Sequence, residues 1–401
     1  MKKSILILVS LLAFALAGCS SESKTPTAEK SATTAPADET PTAPKSVATV
    51  EDVPTPVPVA MEEAAPPEIA ADTGKTYKVV WSHYTGWEPW GYIVSSGIMD
   101  KWAAKYGIKV EIDLISSYVN SINMYTSGSY DACVMTNMDA LAMPAVGGVD
   151  STVLIIGDSS NGNDGIAVRG IPNVAGLRGA DILLQELTVS HYLLSRALQM
   201  EGNGLTENDM TLTNMTDESQ IPAVFIEDSS KTAITWNPLL MTIRQEPGVE
   251  VIFESSQIPG EILDLMVIRT DAPTALKKAL TGAWYEAMSQ MSAKGRIRDE
   301  ALNALAEQAG GTLSEFKQQL KTTAMMYQPA QAVAFAFNPS LVDTMEFIRT
   351  FLFNKGLYGT ASSKDYVGIS FPDGTVIGDS GNVKLRFTSY FMKLAADGKL
   401  E

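Results

Sequence analysis

From Lys75 onward the chain alternates short apolar runs with longer runs of helical spacing, most of them closed by glycine. Residues 77–81 read as a first buried strand, followed by a loop over residues 82–90. Residues 91–106 carry a helical pattern that stops at Gly107, and residues 109–115 form a strand rich in β-branched positions. A helix over 119–126, a strand over 130–135, a short helix over 137–144 and a strand over 151–157 complete a first series. A second series follows, with strands at 165–169, 181–185, 210–214, 232–235 and 249–253 and helices at 190–201 and 220–226. The apolar run 264–269 reads as a strand leading back to the first series. Beyond Pro273 the chain is mostly helical, and residues 364–387 are loop-rich, with Pro-Asp-Gly and Asp-Ser-Gly turns. This alternation predicts parallel sheets covered by helices on both faces. It predicts two α/β lobes with the second inserted into the first: lobe 1 from residues 75–160 and 265–401, lobe 2 from 161–264. The two crossings fall near residues 157–165 and 257–264.

The segment before Lys75 has a different texture. Lys2 and Lys3 precede an apolar run over residues 4–17, and Leu16-Ala17-Gly18-Cys19 follows. A charged start, a short apolar core and small residues at the cut read as a secretory signal over residues 1–18. The Cys resembles that of a lipobox, which implies a diacylglycerol on Cys19 and anchoring at the outer side of a bacterial membrane. Residues 19–74 hold nine of the twenty prolines and no aromatic residue, the composition of a disordered tether. One cysteine remains, Cys133, in an apolar run where a buried inert thiol is expected. The only histidines are His83 and His191. No Cys or His cluster has ligand spacing, so neither a metal site nor a cofactor is expected. The formal net charge of −16 argues against nucleic acid as a partner.

In an open α/β sheet, ligands bind beyond the carboxyl ends of the strands. The loops there are residues 82–90, 136–139, 186–192 and 236–238. They supply Tyr84, Trp87, Glu88, Trp90, Thr136, Asn137, Asp139, Glu186, Ser190, Trp236 and Asn237 as candidate ligand-binding residues, and not one Arg or Lys. Aromatic faces attract cations, and carboxylates accept several N–H donors at once. That combination suits a small planar cation such as guanidinium, or its neutral relative urea. Other readings stand beside it. Helix starts at Thr136 and Ser190 can bind an anion without any base. Asp139 fits a first helical turn and Ser190 a helix cap. The tryptophans fit lobe packing as well as a cleft, and His191 fits a structural role. No Gly-x-Ser-x-Gly elbow, phosphate-cradling Gly-Lys loop or His-Glu-x-x-His is present, and no catalytic residue is assigned.

Several segments resemble the nitrate/sulfonate/taurine group of ABC-transporter solute-binding proteins, among them residues 131–136, 190–194 and 233–238. Residues 86–92, 135–141, 157–165, 258–266 and 381–387 are similar to a branch labelled as urea transporters, some linked to guanidine uptake. The resemblance spans residues 76–392. It implies a two-lobed type II periplasmic binding protein whose cleft closes on its ligand. It also implies a membrane permease and an ATPase as partners; the chain itself is expected to be a monomer. A sulfonate, taurine or nitrate ligand is the alternative within the family; an enzyme or a sensory receptor on the same fold is the alternative outside it.

Overall fold

The structure is a computed structural model describing residues 63–400. The expected signal segment, Cys19 and residues 19–62 of the expected tether lie outside the described residues. The first strands are β1 (Thr76–Trp81), β2 (Lys109–Leu114), β3 (Ala132–Thr136) and β4 (Ser151–Ser160). They are followed by β5 (Asp164–Arg169), β6 (Asp181–Leu184), β7 (Thr211–Asn214), β8 (Lys231–Trp236) and β9 (Val249–Glu254). The chain returns in β10 (Leu263–Arg269) and ends with β11 (Thr323–Met325), β12 (Gly368–Ser370), β13 (Val376–Ile377) and β14 (Val383–Phe387). One sheet has the order β13-β12-β14-β4-β10-β3-β1-β2, with β11 also paired to β4; the other has the order β7-β6-β8-β5-β9. Lobe 2, built on β5 to β9, is thus inserted into lobe 1.

The sheets are mixed, not parallel throughout. β10 runs antiparallel to β3 and β4, and β5 runs antiparallel to β8 and β9. Insertion is the cause. β4 carries the chain out of lobe 1 toward lobe 2, and β10 must enter the same sheet from that end; β5 and β9 have the mirror relation in lobe 2. Every residue of β4 is buried, as expected of a strand covered on both faces. In the β4–β10 ladder Asp264 pairs with Asp158 at the end facing lobe 2, and Arg269 pairs with Ser151 at the far end.

Two local expectations change. The helix over 91–106 is two helices, Glu88–Ser95 and Ile98–Lys105, because Gly97 adopts φ 74° between them, a left-handed conformation glycine takes without strain. The loop-rich tail contributes β12 to β14 to the edge of lobe 1. Residues 63–74, placed by composition in the tether, are held by lobe 1. The Glu63 carboxylate accepts from the backbone N–H of Ser389 (2.6 Å) and of Tyr390 (3.1 Å), and Ile69 exchanges hydrogen bonds with Thr274. Cys133 is a buried free thiol whose pKa burial pushes up to about 12. Among the described residues no helix is long and apolar enough to cross a membrane.

Candidate functional site: a closed cavity between the lobes

The four loops singled out at the strand ends meet. Trp236, the last residue of β8, donates its indole N–H to the His83 carbonyl across the gap (3.1 Å). The backbone N–H of Thr85 reaches the Asn237 carbonyl (3.3 Å). Ser117 donates to the Thr216 carbonyl (2.9 Å), and the backbone N–H of Tyr118 donates to Glu218 Oε1 (2.7 Å). The Val189 N–H, at the start of the lobe 2 helix Val189–Glu201, reaches Asp139 Oδ2 of lobe 1 (3.3 Å). The lobes are therefore shut on one another.

Between them lies a small space of about 10 Å3, the room of roughly one water molecule. Four aromatic side chains line it: Tyr84, Trp87, Tyr118 and Trp236. Their rings form a connected wall, with centroids 4.9 Å apart for Tyr84–Trp87, 5.4 Å for Trp87–Tyr118 and 5.5 Å for Tyr118–Trp236. Two carboxylates, Asp164 and Asp264, face the same space, with Thr136, Val189 and Ile262 completing the lining. No Arg or Lys is among these lining residues.

The carboxylates are buried without a base. Asp164 accepts from Ser160 Oγ (2.5 Å), yet burial still pushes its pKa up to about 7. Asp264 is raised well above the usual carboxylate range by burial and by the nearby Asp158 and Asp164. Asp158, behind it on β4, is raised to about 7, mainly by burial, although Tyr84 donates its hydroxyl to it at 3.2 Å. Asp139 is not among the lining residues. Its Oδ2 accepts from Tyr118 (2.7 Å) and Thr136 (2.9 Å), which limits a burial-driven rise to about 6. Unpaired polar atoms include Asp158 Oδ2, Asp264 Oδ2 and Trp87 Nε1. A desolvated carboxylate with no opposite charge is costly, and these acids accordingly hold a proton more firmly than in water.

Of the residues proposed from sequence, Tyr84, Trp87, Thr136 and Trp236 line the cavity, and Asp139 supports it through Tyr118 and Thr136. The others lie elsewhere. Glu88 is buried against His83 Nδ1 (2.7 Å) and Gln308 Nε2 (2.7 Å); its hydrogen bond is the main cause of a raised His83 pKa. Trp90 stacks on Trp284 in the core of lobe 1 (5.2 Å). Asn137 and Asn237 bind the crossings: Asn137 Oδ1 accepts from Leu263 N–H (3.0 Å) and Asn237 Nδ2 donates to Asn163 Oδ1 (2.6 Å). Glu186 stays on the corner, half-buried, with only its backbone N–H bonded, to Asn214. The cap of helix Val189–Glu201 is Thr188, and the Ser190 hydroxyl is buried without a partner. Asp164, Asp264, Asp158 and Tyr118 escaped sequence reasoning as ligands. The available signal was an acid placed inside an apolar run, as in Ile262-Leu263-Asp264-Leu265, because buried acids are rare.

A larger cavity, about 500 Å3, opens at the far end of the β4–β10 ladder, beside Asp150, Thr152 and Arg269. Its basic groups are already engaged: Arg386 with Asp150, Arg269 with Asp271 and Lys277 with the Thr270 carbonyl.

Compared by sequence, the chain matches no protein-family model and no curated protein. Compared by structure, it is similar to the alkanesulfonate-binding protein SsuA from Xanthomonas axonopodis pv. citri bound to MOPS, with 14% identity, a TM-score of 0.59, and 74% of this chain and 96% of that one covered. It is similar to the periplasmic aliphatic sulphonate-binding protein SsuA from Escherichia coli, with 17% identity, a TM-score of 0.55 and coverage of 71% and 94%. It also matches the periplasmic sulfonate-binding protein SsuA from Methylobacillus flagellatus KT, with 14% identity, a TM-score of 0.56 and coverage of 82% and 96%. At these identities the likeness is one of fold: the chain has the two-lobed periplasmic-binding-protein architecture.

Proposed function

We propose that this protein is the extracytoplasmic solute-binding component of an ABC importer, and that its solute is a small planar nitrogen-rich cation of the guanidinium type. The carrying observation is the interlobe cavity, which has four aromatic side chains, two buried carboxylates and no basic side chain. Aromatic faces would sandwich the plane of the cation, each contact being worth about 2 kcal/mol when desolvated. Asp164 and Asp264 would accept its N–H groups at the edge. In this closed form the space is about 10 Å3, the room of roughly one water molecule, so the solute must be of few atoms and the walls must part to admit it. Because its walls come from both lobes, a bound solute stabilises the closed form. Closure removes water and strengthens each electrostatic contact. The permease then reads the closed form, and a lipid on Cys19 keeps the protein at the membrane.

A second reading takes a sulfonate, taurine or nitrate, and the comparisons favour it, since the structural neighbours are named as sulfonate-binding proteins. In that reading the cavity acids would be protonated and would donate, with Trp87 Nε1, to the anion's oxygens. Titration calorimetry with guanidinium, urea, taurine, methanesulfonate and nitrate separates the two. Guanidinium should bind, and Asp164→Asn should weaken it roughly a hundredfold, as expected when one partner of a buried charge pair is removed. Binding of taurine or methanesulfonate with no response to guanidinium would replace the first reading by the second.

A further inference from the structure

We propose that Asp158 and Asp264 form a carboxyl pair that shares one proton in the empty site and gives it up to solvent when the cationic solute enters. The inference rests on the cation reading for its second half; the pair itself stands on geometry. Asp158 and Asp264 are directly opposite each other on antiparallel strands, close to where the chain crosses to lobe 2. They are 0% and 3% exposed. Each acts on the other's ionisation, and Oδ2 of each is buried without a hydrogen-bond partner.

Two carboxylates so placed cannot both ionise without a counter-charge, and none is at hand. The groups facing the pair are Tyr84 from the loop after β1, Asp164 from β5 and Tyr327 from the segment after β11. Asp139, from the helix after β3, acts on Asp164. Arg298 acts on Tyr327. All the neighbours are acids or phenols, so either a proton or an entering cation must neutralise the pair. Of the two, only Asp264 lines the cavity. Asp158 is a positioning residue behind it, fixed by the Tyr84 hydroxyl and pressed against Gly86, where a Cβ would collide with the Asp158 carboxylate.

The solute thus exchanges with a proton. With one proton displaced, affinity for the cation should rise about tenfold per pH unit until the pair titrates. Affinity for a neutral solute such as urea should not rise in this way.

Infrared spectroscopy of the ligand-free chain at about pH 7 tests the pair, since a protonated carboxylic acid has a C=O band distinct from that of a carboxylate. Asp158→Asn and Asp264→Asn should each remove the same band; a spectrum that neither variant changes overturns the pair. Calorimetry with guanidinium chloride in two buffers of different ionisation enthalpy then counts protons. Wild type should release about one more proton per cation than Asp158→Asn. Guanidinium binding with equal proton release in both would overturn the exchange and leave the cation reading intact. No guanidinium binding, with a sulfonate bound instead, would remove the cation reading and the exchange with it, while the infrared result still decides the pair. If Asp158→Asn fails to fold, the wild-type band takes its place: its loss on adding guanidinium supports the exchange, and its persistence overturns it.

Discussion

Two buried carboxylate clusters sit close together on one stretch of chain, and they have been finished differently. Glu261 takes both oxygens to the guanidinium of Arg196 (2.9 Å from Nε, 2.8 Å from an Nη) and accepts from Tyr192 (2.5 Å). The same guanidinium lies over the rings of Phe347 (4.8 Å) and Phe351 (5.7 Å). Around Asp264 and Asp164 there are again carboxylates and aromatic rings, but no Arg or Lys is among the lining residues. The first cluster is a complete guanidinium site filled by the protein's own side chain. The second has the same ingredients and no occupant from the chain. One buried acid is fully paired with a base, while its neighbours have only hydroxyl partners, the arrangement expected of a ligand site under the proposed function.

The comparison can be broken from either side. The largest effect is expected at the finished cluster: Arg196→Ala leaves Glu261 buried and unpaired and should cost about 3–5 kcal/mol of stability in urea denaturation. A loss below about 1 kcal/mol, no more than a surface pair gives, would mean the two clusters do not differ in the way described. Next comes pH. Asp139 stands near 6, and Asp158, Asp164 and Glu218 stand near 7. All are raised above their unfolded values, so their contribution is fully present below about pH 4 and is lost as pH rises through about 6–7. The ligand-free protein should lose stability between about pH 5 and 8, seen as a falling melting temperature, and guanidinium should flatten the fall. A melting temperature that rises over this range would show that the cleft acids are already neutralised. The smallest effect is at the rim. Ser117 caps the helix Tyr118–Thr126 and bonds Thr216 of lobe 2. Ser117→Ala should cost about 1 kcal/mol and weaken solute binding only several-fold in calorimetry.

The lobes, their order along the chain and the loops at their strand ends were readable from the apolar runs, because a strand buried on both faces leaves a near-continuous signature. Four cavity residues, Tyr84, Trp87, Thr136 and Trp236, were reachable by the same logic. Glu88 and Trp90 were not separable from them by sequence, since one turn of helix decides which side chain faces the cleft and which faces His83 or Trp284. Asn137 and Asn237 carry amides that suit a ligand or a strand crossing equally well, and here they bind the crossings.

What the chain determined by itself is the alternation of elements, the insertion of one lobe into the other and the absence of any base from the strand-end loops, because these follow from local pattern and composition. What only the tertiary structure decided is the site. Asp164 and Asp264 lie on opposite crossings and Asp158 near the end of a long buried strand, and nothing local brings three acids together. Antiparallel return of β10 beside β4 does so, and burial, a property of the assembled lobes alone, gives those acids their proton affinity.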